Sequence, residues 1–129
     1  MNKIYPGYNE NSVAFFDILM EGLKGEVPDG SFWDAISDDA TFEFEYRIPG
    51  FPFQLTKDQY FEWFKNYSIP LSADNLRVYK DTKKNTVIIE YEVHSADGKY
   101  NNRFCSIVTL RNHRIVYWRD YGDSLQMAN

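Results

Sequence analysis

Residues 115 to 123 read Ile-Val-Tyr-Trp-Arg-Asp-Tyr-Gly-Asp, and in this run a carboxylate follows a tryptophan two positions on. Side chains alternate along a β-strand, so Val116, Trp118 and Asp120 should share one face and Tyr117, Arg119 and Tyr121 the other. If the tryptophan face lines an interior, desolvation favours the protonated form of Asp120 and makes it an acid or base near neutral pH. If it faces water, Asp120 is a solvated surface charge.

The other reactive side chains are few. His94 falls on the strand face of Glu90 and Glu92, expected to point outward and meet Arg103, and His113 falls in a hairpin turn. Two distant histidines, one cysteine and no close pair of inward carboxylates give no basis for a metal site. Cys105 should alternate away from Phe104 and Ser106, and as the lone cysteine it can form no intrachain disulfide.

The elements that must position Asp120 follow from periodicity. Phe16, Leu19, Met20 and Leu23 predict a helix over residues 12–24, ended by Gly25. Ser31 and Asp34 form a capping-box pattern that predicts a short second helix from Phe32 to Ile36. Alternation of Phe42, Phe44 and Tyr46 with Thr41, Glu43 and Glu45 predicts a half-buried strand from Asp39 to Tyr46. Pro49-Gly50-Phe51-Pro52-Phe53 is a constrained connector, open at most to a short edge pairing. Thr56 and Gln59 form another capping box, and Tyr60, Trp63, Phe64 and Tyr67 lie at helical spacing, so a third helix runs from Lys57 to Tyr67.

Four strands complete the chain, about Asp74–Asp81, Thr86–Ser95, Asn102–Arg111 and Arg114–Tyr121. They are joined by turns at Lys83-Lys84-Asn85, Ala96-Asp97-Gly98 and Asn112-His113. Short turns between consecutive strands make an antiparallel meander, and the class is α+β, with helices against one face of a strongly bent sheet. With 129 residues, 43% of them hydrophobic, the chain reads as a single domain over 1–129 with apolar surface enough for a core. Ten Phe, ten Tyr and three Trp are enough to line a pocket as well as to fill a core.

A net charge of −5, with Lys and Arg nowhere concentrated, argues against nucleic acid as a partner. Neither a signal-peptide-like run at Met1–Gly7 nor any membrane-spanning apolar segment is visible, so no membrane partner and a cytoplasmic location are expected.

In element order and in three stretches the chain resembles the SnoaL-like family of the nuclear transport factor two-like, or ketosteroid isomerase-like, superfamily. The stretches are Ser37-Asp38-Asp39-Ala40-Thr41-Phe42-Glu43-Phe44, Pro49-Gly50-Phe51-Pro52 and Arg114-Ile115-Val116-Tyr117-Trp118-Arg119-Asp120-Tyr121. The resemblance implies a cone-shaped, cystatin-like roll, with a curved, mixed but mainly antiparallel sheet around three helices. It also implies an open mouth for a small apolar or amphipathic molecule, and a homodimer through the outer sheet face.

Residue by residue, the resemblance narrows the chemistry. In ketosteroid isomerases the base lies on the first strand shortly after a motif like Asp38 to Thr41, a spacing that lands here on Phe44. The first helix offers Phe15 and Phe16 and no tyrosine for an oxyanion. Limonene epoxide hydrolases end in a motif similar to Trp118-Arg119-Asp120-Tyr121 whose aspartate is catalytic, and phenazine biosynthesis proteins look to have a glutamate there. The hydrolases also need an arginine and a second aspartate where this chain has Tyr91 and Val93, so their full triad is absent.

The inward faces are therefore expected to carry Phe42, Phe44, Tyr46 and Tyr91 with Phe104, Trp118 and Asp120. Asn102 and Ser106 join Tyr46 and Tyr91 as hydrogen-bonding groups, and Trp63 or Phe64 closes the mouth. The expected activity is cyclase- or isomerase-type proton transfer by Asp120 on an apolar oxygenated ligand, without metal or cofactor. The alternatives are a binding or accessory module in which Asp120 orients the ligand, and a dimerisation domain with a filled cone.

Overall fold

The computed structural model describes residues 13–46, 53–65 and 71–123. Their elements run α1 (Val13–Gly22), β1 (Ile36–Phe44), β2 (Gln54–Thr56), α2 (Lys57–Lys65), β3 (Leu71–Asp81), β4 (Thr86–Ser95), β5 (Asn101–Arg111) and β6 (Arg114–Gly122). The six strands form one curved sheet in the order β2-β1-β6-β5-β4-β3. Of these pairs β1–β6 alone is parallel; β1–β2 and the meander from β3 to β6 are antiparallel. This is the mixed, mainly antiparallel α+β roll expected.

The meander rests on turn chemistry. Asn85, Asn112 and His113 take positive φ values of 50°, 52° and 60°, a region that Asn and His enter more readily than most side chains. The Asp81 carboxylate accepts the Lys83 and Lys84 amides at 3.1 and 3.2 Å, which fixes the β3–β4 turn. The edge strand β3 is itself irregular. Its register on β4 shifts between Asp74 and Arg77, and Asn75 there has φ 54° and donates to Glu92.

Helix α1 buries Phe16 and Leu19 against the inner face of β3 and β4, with Leu23 just beyond its end. Its last residue, Gly22, lies so close to β4 that a Cβ would stand 3.2 Å from two Ile89 carbons. Helix α2 opens with the anticipated capping box. Thr56 N–H donates to Gln59 Oε1 at 2.9 Å, and Gln59 N–H donates to Thr56 Oγ1 at 3.2 Å. It packs on β1 and β2, so both helices cover the same face of the sheet.

Three expectations need correction. The second helix is absent: residues 32–35 make a turn, in which Ser31 Oγ accepts the Asp34 amide at 3.2 Å, and Ile36 already opens β1. One capped turn cannot outweigh strand pairing, because Ile115 N–H bonds to Ala35 O and Ile36 pairs with Ile115. The described residues thus hold two helices where three were expected. Strand β1 accordingly starts at Ile36 rather than Asp39 and ends at Phe44, leaving Tyr46 in the turn beyond it. Finally, Ile115 rather than Val116 is the buried residue at the start of β6, because a bulge between the Thr109–Tyr117 and Leu110–Ile115 pairs inserts Val116 and resets the alternation. Trp118 and Asp120, beyond the bulge, keep the expected face. Apart from Phe53, the proline connector lies outside the described residues, as do the last residues predicted for α2.

Lys57, 4% exposed, is a buried charge that the pattern did not reveal. Its Nζ donates to Ile36 O at 2.7 Å and reaches Asp38 Oδ1 at 3.3 Å, joining the start of α2 to the irregular first half of β1. Substituting Lys57→Met removes the donor on a buried carbonyl. It should destabilise the fold by about 1–3 kcal/mol in urea unfolding, whereas exposed Lys83→Met should change stability by less than about 0.5 kcal/mol.

Candidate active site

Strand alternation brings Tyr91 of β4, Ser106 of β5 and Trp118 and Asp120 of β6 onto the inner face, through the pairs Ile89–Ser106, Tyr91–Phe104, Ser106–Asp120 and Val108–Trp118. The β1–β6 pairing sets Phe44 beside Asp120, and the Glu45 amide donates to Asp120 O at 2.9 Å, delivering Tyr46 to the same place. Asp120 is 6% exposed, which settles the choice posed by the sequence in favour of the interior.

Its two carboxylate oxygens are treated differently. Oδ1 accepts hydrogen bonds from Ser106 Oγ at 2.6 Å and from the Trp118 indole Nε1. Oδ2 accepts the Tyr46 hydroxyl at 3.1 Å. Ser106 Oγ also lies 2.8 Å from Tyr91 Oη. Having one hydroxyl hydrogen, which it gives to Asp120, Ser106 must accept from Tyr91. The chain of donation is therefore Tyr91 to Ser106 to Asp120.

Rings surround this chain. Tyr46 stacks on Phe44 at 5.6 Å between centroids and meets Phe104 edge-on at 5.8 Å, while Phe104 stacks on Tyr91 at 5.8 Å. Trp63 stands 6.3 Å from Phe44 and, like Phe104, is only partly buried. Beneath them Phe32 meets Trp118 edge-on at 5.5 Å.

Burial in this shell pushes the Asp120 carboxyl up to about 6, against the pull of Ser106, Trp118 and Tyr46, whose hydrogen bonds favour the charged form. Tyr46 and Tyr91 are pushed well above the usual tyrosine value, first by burial and then by the Asp120 charge. Both phenols therefore stay neutral donors while Asp120 titrates.

Of the residues expected inward, Phe42, Phe44, Tyr46, Tyr91, Ser106, Trp118 and Asp120 are buried together, with Trp63 and Phe104 at their margin. The Phe64 side chain lies outside those described. Asn102 is buried, but its amide is engaged: Nδ2 donates to Tyr100 Oη and Asp123 O, and Oδ1 accepts the Arg103 and Asp123 amides. It ties the start of β5 to the end of β6. Tyr60, overlooked as a lining residue, lies 4.4 Å from the Phe42 ring and 5.5 Å from Phe44. Its place in the aromatic stripe of α2 was the available signal.

The histidines stay out of this interior. His94 bonds to Asn101 at 2.7 Å and Asp74 at 3.1 Å on the outer face, where Arg103 also pairs with Glu92. His113 is exposed in its turn. Concavities of about 300 Å³ beside Lys80, Asp81 and His113, and of about 500 Å³ beside Glu92, His94 and Arg103, have charged linings, and Asp120 borders neither. Among the described residues no cluster of three His, Cys, Asp or Glu could hold a metal ion, and no helix is long and apolar enough to cross a membrane.

No family model matches the chain. Among known proteins it is 30% identical over 101 residues to the uncharacterised protein YesE of Bacillus subtilis, an alignment spanning 72% of this chain and 67% of YesE. A provisionally assigned isomerase from Bacillus subtilis has a similar structure, with a TM-score of 0.68 and 28% identity over 93% of this chain and 88% of that one. An NTF2-like protein from Anabaena variabilis has a TM-score of 0.61 and 22% identity over 96% of each chain. The fold is NTF2-like.

The raised titration of Asp120 has a defined sign in stability. The unfolded chain releases this proton near 3.8 and the folded chain near 6, so the folded state is favoured below 3.8 and the advantage is lost as pH rises through 6. About two pH units at roughly 1.4 kcal/mol each make this about 3 kcal/mol. The stability difference between wild type and Asp120→Asn should therefore move by about 2 kcal/mol against wild type from pH 4 to pH 7 in urea unfolding. A difference flat with pH would contradict the buried titration.

Proposed function

The chain belongs to the family of the Bacillus subtilis protein YesE, and from that membership and its NTF2-like fold we propose that it binds a small apolar, oxygenated molecule and moves a proton on it, with Asp120 as the carrier. The observation that carries this reading is a carboxylate enclosed by aromatic rings and titrating at about 6, available in either protonation state near neutral pH. The provisional description of a solved relative at 28% identity as an isomerase supports it.

In this reading Phe44, Trp63, Tyr91, Phe104 and Trp118 supply apolar area to the ligand. Tyr46 and Ser106 set the hydrogen-bonding pattern around Asp120. The reaction is a SnoaL-like cyclisation or isomerisation through an enol, which asks only for acid–base groups the chain carries.

A second reading, a binding or accessory module, draws support from the two donors already fixed on Oδ1. The two are separated by deuterium exchange next to the carbonyl of 2-tetralone and 2-indanone, followed by NMR. Catalysis predicts acceleration by the wild type that falls at least about 100-fold in Asp120→Asn, with ketone affinity kept within about threefold. Ketone binding without exchange in either protein would leave the binding module.

The proposed partner is a second copy of the chain, docked through the outer sheet face. There the row Glu43, Arg119, Ile107, Ile88 and Tyr79 crosses five strands, and Tyr79 and Tyr121 are exposed. Sedimentation should find a dimer for the wild type and a monomer for Ile107→Glu, with the circular dichroism spectrum unchanged.

A further inference from the structure

The asymmetry of the Asp120 carboxylate separates a fixed half from an exchangeable one. At Oδ1, Ser106 is wholly buried and backed by Tyr91, and Trp118 is 1% exposed, so neither donor has room to turn away. At Oδ2 the contact is a single, longer bond from Tyr46, which lies past the end of β1 in a turn. An ionised carboxylate accepts all three donors. A protonated one carries a hydrogen on one oxygen, and the acceptor site left on that oxygen is weak. Because two donor hydrogens already point at Oδ1, the incoming proton sits on the second lone pair of Oδ2, and the donor loosened by it is Tyr46.

We infer that Tyr46 is the exchangeable donor of the site: its hydroxyl caps Oδ2 while Asp120 is ionised, and turns to the ligand's oxygen when Oδ2 takes the ligand's proton. The inference rests on the proton-carrier reading above and deepens it by naming the ligand class, a carbonyl compound whose transferable hydrogen lies next to an acceptor oxygen. In the step, the C–H bond beside the carbonyl breaks and its proton goes to Oδ2. The C–H electron pair forms the C=C bond and the carbonyl π pair moves onto oxygen, where the Tyr46 O–H holds it. Reversal returns the proton to the ligand. Tyr46 remains a phenol throughout, in keeping with its burial.

The groups around this exchange are neutral. Tyr46 approaches from beyond β1, Tyr91 from β4, Ser106 from β5 and Trp118 from β6, while Tyr60 of α2 stands near both tyrosines and Cys105 lies on the outer side of β5. Among the described residues no charged side chain competes with Asp120 for the proton.

The test is carbon-13 NMR of the whole protein labelled at the Asp carboxyl and Tyr Cζ positions, from pH 4 to pH 8, in wild type and Tyr46→Phe. The Tyr46 Cζ signal should shift with the same midpoint as the Asp120 carboxyl, about 6, and Tyr91 should shift less. In Tyr46→Phe the Asp120 midpoint should rise by about one unit or more, since a donor to the charged form is gone. A Tyr46 signal flat through the Asp120 titration overturns the inference, whatever the activity.

In the 2-tetralone exchange assay, Tyr46→Phe should lower kcat at least about tenfold and leave KM within about threefold. If Asp120→Asn abolishes exchange while Tyr46→Phe keeps the wild-type rate, the Tyr46 assignment fails and the proton-carrier reading stands. If Asp120→Asn exchanges like wild type, the proton-carrier reading fails and this inference falls with it.

Discussion

A carboxylate taken out of water loses several kcal/mol of hydration, and in this chain that loss falls at the centre of the sheet, on Asp120. The surrounding architecture can be understood as the arrangement that keeps this group both buried and ionisable. Three neutral donors converge on it, Trp118 from its own strand, Ser106 from the neighbouring strand and Tyr46 from beyond β1, and a third hydroxyl, that of Tyr91, stands behind Ser106. Convergence of this kind fixes register. A slip of one residue in β5 would replace Ser106 by Cys105 or Ile107 and leave the carboxylate without its hydroxyl donor on Oδ1. The site and the strand pairing therefore specify each other.

The topology makes that convergence possible. The parallel pairing of β1 with β6 sets the first strand beside the sixth, which brings Phe44 and Tyr46 next to Asp120. On the opposite side, α1 and α2 cover the inner face with Phe16, Leu19, Tyr60 and Phe61, so the bent sheet closes on apolar material. The irregularities in the first half of β1 and at Val116 of β6 lie together, below the site. There Lys57 donates to the buried Ile36 carbonyl. Beyond the irregularities regular alternation resumes, and the residues above it can face inward in register.

How much of this was legible in the sequence varied with the range of the interaction. The strand boundaries from Thr86 to Gly122 and the capping box at Thr56 and Gln59 were readable because alternation, turn residues and caps act within a few positions. The inward face of Asp120 followed from its spacing to Trp118. Long-range demands were not readable. The pattern at Ser31 does form its local hydrogen bond, yet pairing of Ile36 with a residue 79 positions later decides the backbone. Nothing local marks Val116 as a bulge or Lys57 as buried, and nothing local ties the Asn102 amide to Asp123. Each depends on which strand lies alongside.

The bulge on β3 bears on assembly. Among the described residues this strand is the long margin of the sheet, since β2 at the other margin has only three residues. A flat margin of eleven residues would be a template on which another chain could add a strand. At Asn75 the backbone leaves the extended conformation, and its side-chain amide donates to Glu92 on the outer face, so the row of edge peptide groups is broken partway along. A break of this kind disfavours ribbon-like growth from one molecule to the next along that edge.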